Sequence, residues 1–502
     1  NTFKTTGYLQ YKITSTDGGY NMTSFEDVPK SSKAQDTVLA YSISIAEGVT
    51  QNYTITIQYL NDENADQSDD MGAELSGKLY ISEGSYPSLA KLILRDNPTI
   101  SERTDFSVTN TATTTGTIYQ TNKTEDGSTV YYYSGNTANN WVKFGKETIQ
   151  ECTYNGEQVY YGIYNKGTNF YKEVRKVESS DECVSTNICT DNYYGPIIGL
   201  TEEECTSLIS NATWTSNKAT AGNKTEKDIY WRIIRTNEDG SIRLLYSGLN
   251  PSNTKGYIGG SVFNINREDV MYVGYMYGTS GSLANNRLNT NDSTIKTFID
   301  KWYKETLLSN YDKYISKTAI YCNDRSNTNY SVNGYFNYGA NYRLDTDLVT
   351  TPTPTPTYKC GEDGKGGLFE ATQAIADKFS VSTESGGNGL LAYPVALVTA
   401  DELSFAGGVY KSAMTKPYAW YIANGEGNLI STFLFTLSPS NCNSTSSYVW
   451  FVTANSSKLA SNRVSSSYAV RPVISLSSCV GIKSGYGTPE SPYEVDYDGS
   501  CK

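Results

Sequence analysis

Histidine is absent from all 502 residues. Its absence removes the commonest general base and every Ser-His or Cys-His nucleophile pair. The nine cysteines, at 152, 183, 189, 205, 322, 360, 442, 479 and 501, form no CxxC pair. A zinc or haem site built from Cys and His is therefore not expected, nor is any cofactor. No apolar run reaches the ~18 residues of a membrane-spanning helix, so no membrane insertion is expected. A phosphate-cradling loop is missing too: Gly386-Gly-Asn-Gly389 has neither the lysine nor the strand–helix setting. Charged residues are sparse at 19%, and 41 Lys and Arg face 53 Asp and Glu. A net charge of −12 speaks against nucleic acid and against an anionic membrane surface as partners.

What fills the sequence instead is Ser, Thr, Asn, Gly and 43 tyrosines. Aromatics at 13% belong to a folded chain, not a disordered one. Thr, Tyr, Val and Ile suit pleated, half-buried strands, and strong helix formers are few, so the fold class is mainly β. The length exceeds what one core serves and predicts about three domains. The cysteines read as disulfides of an oxidising, extracellular compartment. The chain opens on Asn1 without Met, which fits removal of an export segment. Spacing pairs Cys322 with Cys360 and Cys479 with Cys501. Cys152, Cys183, Cys189 and Cys205 pair among themselves, which leaves Cys442 either buried and free or bonded to another subunit.

Residues 1–87 read as a β-sandwich. Leu9, Tyr11 and Ile13 alternate, as do Tyr41, Ile43 and Ile45, and then Tyr53, Ile55, Ile57 and Tyr59. The stretch Thr2–Ile13 precedes the main strands without a tight turn. It is a candidate assembly strand, burying Phe3, Leu9, Tyr11 and Ile13 in a neighbouring copy. Asp62, Asn64 and Asp66 begin the oxygen spacing of a calcium loop. Gln67 and Ala73 stand where the turn glycine and closing glutamate belong, so a solvated acidic loop is the stronger reading.

Residues 88–127 read as a short helix, ended by Pro98, and a polar connector. Beyond them, Thr129–Tyr133 and Asn140–Phe144 are strand-like. Ile229–Arg235 and Ser241–Tyr246 form a hairpin around Asp239-Gly240. Residues 147–226 interrupt this pattern as a cysteine-containing insertion. Ile295, Phe298, Ile299 and Trp302 mark a helix over 293–308, and a second starts after the capping Thr399 and stops at Gly407. Thr350–Thr357, alternating Thr and Pro, reads as an extended surface projection.

Trp141-Val-Lys-Phe144, Tyr230–Arg235, Tyr321–Arg325, Val398–Glu402 with Gly407-Gly408, and Val470-Arg-Pro-Val473 together resemble a family of uncharacterised exported proteins of Gram-positive gut bacteria. The final strand, Ser/Asn-rich loop and Tyr468-Ala-Val-Arg-Pro472 are similar to the ending of C-type-lectin-like folds. Those include the formylglycine-generating-enzyme-like and fibrobacter paralogous domains. The resemblance implies a C-type-lectin-like α+β domain over 128–502, with 147–226 as a disulfide-pinned insertion. It implies a variable, ligand-facing loop at Ser456–Ser467, but no activity, because the oxidase's paired cysteines have no counterparts. The opening Asn1-Thr-Phe3, Gly7 and Leu9–Ile13 resembles camelysin-type matrix fibre proteins, which implies joining by strand donation.

Two carboxylates suffice for a glycosidase. Asp401 and Glu402 are the candidates, although a helix N-terminus gives them a structural role first. Trp141, Trp231, Trp420 and Trp450 offer a sugar-stacking surface, yet large aromatics belong more often to cores. The possible ligand surface is Trp450, Asn455, Asn462 and Arg463. The expected function is thus a structural subunit of an extracellular filament or surface layer, partnered with itself. The alternative is a glycan-binding adhesin, and a carboxylate hydrolase comes third.

Overall fold

A computed structural model describes the chain over 48–75, 86–154, 220–254, 256–280, 288–332, 335–345, 354–361, 376–382, 389–430, 433–443, 445–454 and 456–497, with shorter pieces between and before them. The protein is mainly β, with 33% strand and 13% helix. It divides into two compact units, 1–87 with 496–500, and 88–495 with 501–502.

In the first unit, β1 (Leu9–Ser15) lies between β2 (Glu26–Asp27) and β3 (Tyr53–Tyr59), antiparallel to both. The β1–β3 register runs from Leu9 opposite Tyr59 to Ser15 opposite Tyr53. Alternation turns Leu9, Tyr11 and Ile13 to one buried face, where Tyr11 and Ile13 pack with Met22. β3 departs from the expected alternation: Ile57 is 52% exposed and Tyr59 is also exposed. Ile43 and Ile45 belong to no strand, and Tyr41 lies outside the described residues. Among the described residues this unit holds one sheet; the second layer of a sandwich is not among them.

The second unit opens with α1 (Leu89–Asp96), which buries Leu89, Leu92 and Ile93. Asn97 donates to the Ile93 carbonyl at 2.8 Å and closes the helix before Pro98. Where a polar connector was expected, β4 (Thr99–Ser101) and β5 (Thr117–Thr121) run parallel to each other. Threonines pair through their backbones as readily as apolar residues do, and Ile118 alone supplies β5 with a fully buried anchor. Then follow β6 (Val130–Tyr132), β7 (Trp141–Tyr154), β8 (Thr220–Thr236), β9 (Ile242–Tyr246) and β10 (Gly259–Val262). Next come α2 (Thr294–Thr306), β11 (Tyr321–Asp324), α3 (Gly339–Leu344), β12 (Ala376–Ser380) and α4 (Ala400–Phe405). The chain closes with β13 (Leu434–Cys442), β14 (Ser447–Val452), β15 (Leu459–Arg463), β16 (Ser467–Val470), β17 (Val473–Leu476), β18 (Ile482–Ser484) and β19 (Tyr493–Val495).

A ten-stranded sheet carries the order β18-β19-β7-β8-β6-β5-β4, with β9 bonded to both β8 and β17. The β8–β9 turn is the predicted one: Gly240 takes φ +78° and donates to the Asn237 carbonyl at 3.1 Å. Trp141, Val142, Trp231, Leu244, Ile474 and Tyr493 fill the core and are fully buried. A second sheet runs β10-β16-β13, and β14 and β15 extend it from β13. α2 starts where Ser293 Oγ accepts the Lys296 N–H, and it buries Ile295, Ile299, Trp302 and Tyr303. The β7–β8 pairing continues past Glu147 opposite Lys227 to Thr153 opposite Thr220, so the segment read as an insertion begins as a prolonged hairpin. Cys152 sits on β7 opposite Ala221, while Cys183, Cys189 and Cys205 lie outside the described residues.

Two disulfides stand as the spacing predicted, Cys322–Cys360 and Cys479–Cys501. Two loop expectations fail. Ser456–Ser467 is not an exposed loop, because β15 occupies it and pairs with β14 from Tyr448 opposite Arg463 to Val452 opposite Leu459. Ser457, Leu459, Val464 and Ser467 are buried. Small polar residues make strand pairs through the backbone, which leaves no apolar period to read. The Thr-Pro run is not a projection at its described end: Pro354 and Pro356 are buried. There the Thr355 N–H donates to the Arg343 carbonyl at 3.0 Å.

Candidate functional site

The carboxylates singled out for chemistry sit at the start of α4. Thr399 Oγ1 accepts the Glu402 N–H at 3.1 Å, and Glu402 Oε2 accepts the Thr399 N–H at 2.9 Å. This reciprocal cap follows directly from Thr-x-x-Glu ahead of an apolar run. Glu402 Oε1 also receives Arg235 Nε of β8 and Arg243 Nε of β9, each at 3.3 Å. Asp401 holds Arg343 of α3 through both oxygens, at 3.0 and 2.8 Å, and accepts the Thr357 N–H at 3.1 Å. Arg343 bridges onward to Asp324 at 2.8 Å, and Arg325 pairs with the buried Asp377. Glu402 is 2% exposed and Asp401 4%. Neither presents a free oxygen edge to a water or a sugar, and their arrangement clamps α3, α4, β8 and β9 together.

A third buried carboxyl, Glu147 on β7, has another environment. It accepts Tyr246 Oη at 3.1 Å and Trp302 Nε1 at 3.3 Å, inside an edge-to-face cluster of Trp231, Tyr246 and Trp302. No cation lies within ion-pair reach among the described residues. Burial pushes its carboxyl from 4.5 up to about 7.

The expected ligand surface is only partly a surface. Trp450 is fully buried, edge-on to Tyr410 at 5.2 Å between ring centroids. Trp141, Trp231 and Trp420 are core as well. Arg463 is exposed, and the half-buried Asn462 donates to Tyr468 Oη. Tyr468 in turn stacks on Phe433 at 5.0 Å and Phe451 at 4.9 Å. Asn455 lies outside the described residues.

No family model, curated protein or solved structure matches the chain. The lectin-like likeness therefore rests on the motifs alone, and the site is read from its own geometry.

The assembly strand is already partnered. β1 is bonded along its length to β3 and at Gln10 and Tyr11 to β2. The Met22 and Val28 N–H groups donate to the carbonyls of Ile13 and Leu9. Leu9, Tyr11 and Ile13 are buried within their own unit, and Phe3 lies against Tyr59 at 5.5 Å. A strand needs partners for its polar backbone, and a neighbour in the same chain is available without loss of translational freedom. In the calcium candidate, Asp62 Oδ1 accepts the Asn64 N–H at 2.9 Å and Asp66 Oδ1 the Ser68 N–H at 3.0 Å. Those turn-closing bonds use the oxygens, and no group of three potential metal-binding side chains occurs among the described residues. Cys442 is a buried free thiol that accepts from Tyr338 Oη at 3.6 Å, pushed up to about 11 by burial.

Sequence reading missed Arg232, Arg235, Arg243 and Glu147. The available signal was a charge inside an otherwise apolar strand pattern, since β9 is buried at every position.

Proposed function

We propose that this chain is a non-catalytic adhesive protein of the cell exterior that binds glycans at the exposed end of the β14–β15 hairpin, around Asn462 and Arg463. The observation that carries the non-catalytic part is the engagement of Asp401 and Glu402, whose oxygens are held by three arginines and two backbone N–H groups. Two disulfides support an oxidising location. Arg463 offers a planar donor fork, and Asn462 both donates and accepts, which suits hydroxyl and carboxylate groups of sugars.

Filament formation is the second reading, with a changed geometry. In this reading β1 stays bonded within its own unit and β3, whose Ile57 and Tyr59 are exposed, meets the neighbouring copy.

Full-length protein on a glycan array, alongside an Asn462→Ala/Arg463→Ala double variant, tests the first reading. Binding by the parent and its loss in the variant are expected. Negative-stain microscopy tests the second, with fibres as its sign. A monomer that binds no glycan and cleaves glycosidic bonds would overturn both.

A further inference from the structure

Five arginines of the second unit are buried and a sixth, Arg343, is partly buried, and they fall into two groups. Arg235, Arg243, Arg325 and Arg343 each face a buried Glu or Asp. Arg232 and Arg471 face none among the described residues, although each is 1% exposed. Each nitrogen of Arg232 nonetheless has an acceptor. It donates to Asn140 Oδ1 at 2.6 Å and to the carbonyls of Thr137 at 2.9 Å and Ala423 at 3.3 Å. Its guanidinium also lies 4.3 Å from the Trp141 ring centroid.

In Arg471 one nitrogen differs. Between β16 and β17 it donates Nε to the Tyr246 carbonyl at 2.8 Å and Nη1 to the Tyr421 carbonyl. Its Nη2 is buried and has no acceptor among the described residues. Arg471 lines a small cavity together with Tyr421, Ile430, Leu434, Val452, Thr453 and Ser457, with room for one particle about the size of a water molecule. No carboxylate lines it among the described residues. Arg232 is near enough to repel Arg471 electrostatically, so the pair concentrates positive charge among buried residues. Burial pulls Arg471 down to about 9, which still leaves it a cation at neutral pH.

We infer that this cavity is a binding site for a single small inorganic anion of halide size, which accepts from Arg471 Nη2 and serves as the counter-ion that Glu402, Asp401 and Asp377 provide elsewhere. A monatomic anion suits this small space better than a sulfate or a carboxylate ligand. A neutral water would accept the hydrogen bond but leave both charges uncompensated. The inference is independent of the glycan-binding reading, since neither Asn462 nor Arg463 lines the cavity.

Crystals of the full-length protein grown or soaked in bromide test it directly. An anomalous peak within hydrogen-bond distance of Arg471 Nη2 is expected. Ordered density there with no anomalous signal identifies water and overturns the inference. In solution, replacing a bulky monovalent anion by chloride at constant ionic strength should raise the melting temperature by several degrees. The rise should vanish in Arg471→Met. A bromide peak without any chloride-specific stabilisation of the parent marks an adventitious ion only and also overturns it. If Arg471→Met fails to fold, the parent's anion series and the anomalous map decide between these outcomes.

Discussion

Glu402 and Glu147 are buried to nearly the same degree, 2% and 7% exposed, yet the molecule treats their charge in opposite ways. Glu402 lies between two arginines and caps its own helix. Glu147 lies among a tyrosine and two tryptophans, with neutral donors and no described cation. Burial alone therefore says nothing about what a carboxyl does. The partner decides, because a desolvated negative charge is tolerable beside a cation and costly beside an indole. The contrast also bears on function: Asp401 and Glu402, which look catalytic by type and spacing, hold helices to strands, while Glu147, which burial makes a weaker acid, lies among aromatic rings.

The sharpest way to break this comparison is the same isosteric change at both sites. Glu402→Gln should destabilise the second unit by about 3–5 kcal/mol, because Arg235 and Arg243 remain buried without a full counter-charge. Urea unfolding followed by tryptophan fluorescence measures it, and a loss below ~1 kcal/mol would put Glu402 on a par with a surface pair. The disulfide Cys322–Cys360, separated by 38 residues, provides a covalent yardstick. Its double serine variant should lose about 3–4 kcal/mol by loop-closure entropy. A loss similar to that of Glu402→Gln would show that one buried ion triad matches a covalent clamp.

Glu147→Gln should act in the other direction. Because the folded carboxyl binds its proton more tightly than the unfolded one, stability contributed by this group is full below about pH 4.5 and falls as pH rises towards 7. At pH 8 the variant should be more stable than the parent by up to about 3 kcal/mol, and at pH 4 the two should converge. Thermal unfolding across that range checks the sign; a variant that is less stable at pH 8 would mean that Tyr246 and Trp302 stabilise the ionised form. The smallest effect belongs to the surface. Arg463→Ala should change stability by no more than about 0.5 kcal/mol while abolishing binding on a glycan array. A large loss of stability would move Arg463 from the ligand surface into the framework.

Much of the fold was legible because it is local. The alternation at Leu9, Tyr11 and Ile13, the Asp239-Gly240 turn, the apolar stripe Ile295–Trp302 and the Thr399–Glu402 cap each occupy a few consecutive residues. Each is dictated by backbone geometry that the residue type itself selects. Cysteine spacing likewise anticipated Cys322–Cys360 and Cys479–Cys501. The candidate site was less legible. Leu459 and Val464 are buried in a run of Ser, Asn and Ala that has no period, and Trp450 points inward although its neighbours suggest a surface.

Local patterns in the sequence were enough for many of the strands and helices, for several turns, and for the chemistry that the lack of histidine removes. Only the tertiary structure decided which carboxyl meets an arginine and which meets an indole, that β1 closes on β3 of its own unit, and that Arg471 is left one acceptor short. Those outcomes depend on residues far apart in the chain, such as Glu402 with Arg235 and Arg471 with Tyr246. Neither local propensity nor periodicity carries information about contacts made at that separation.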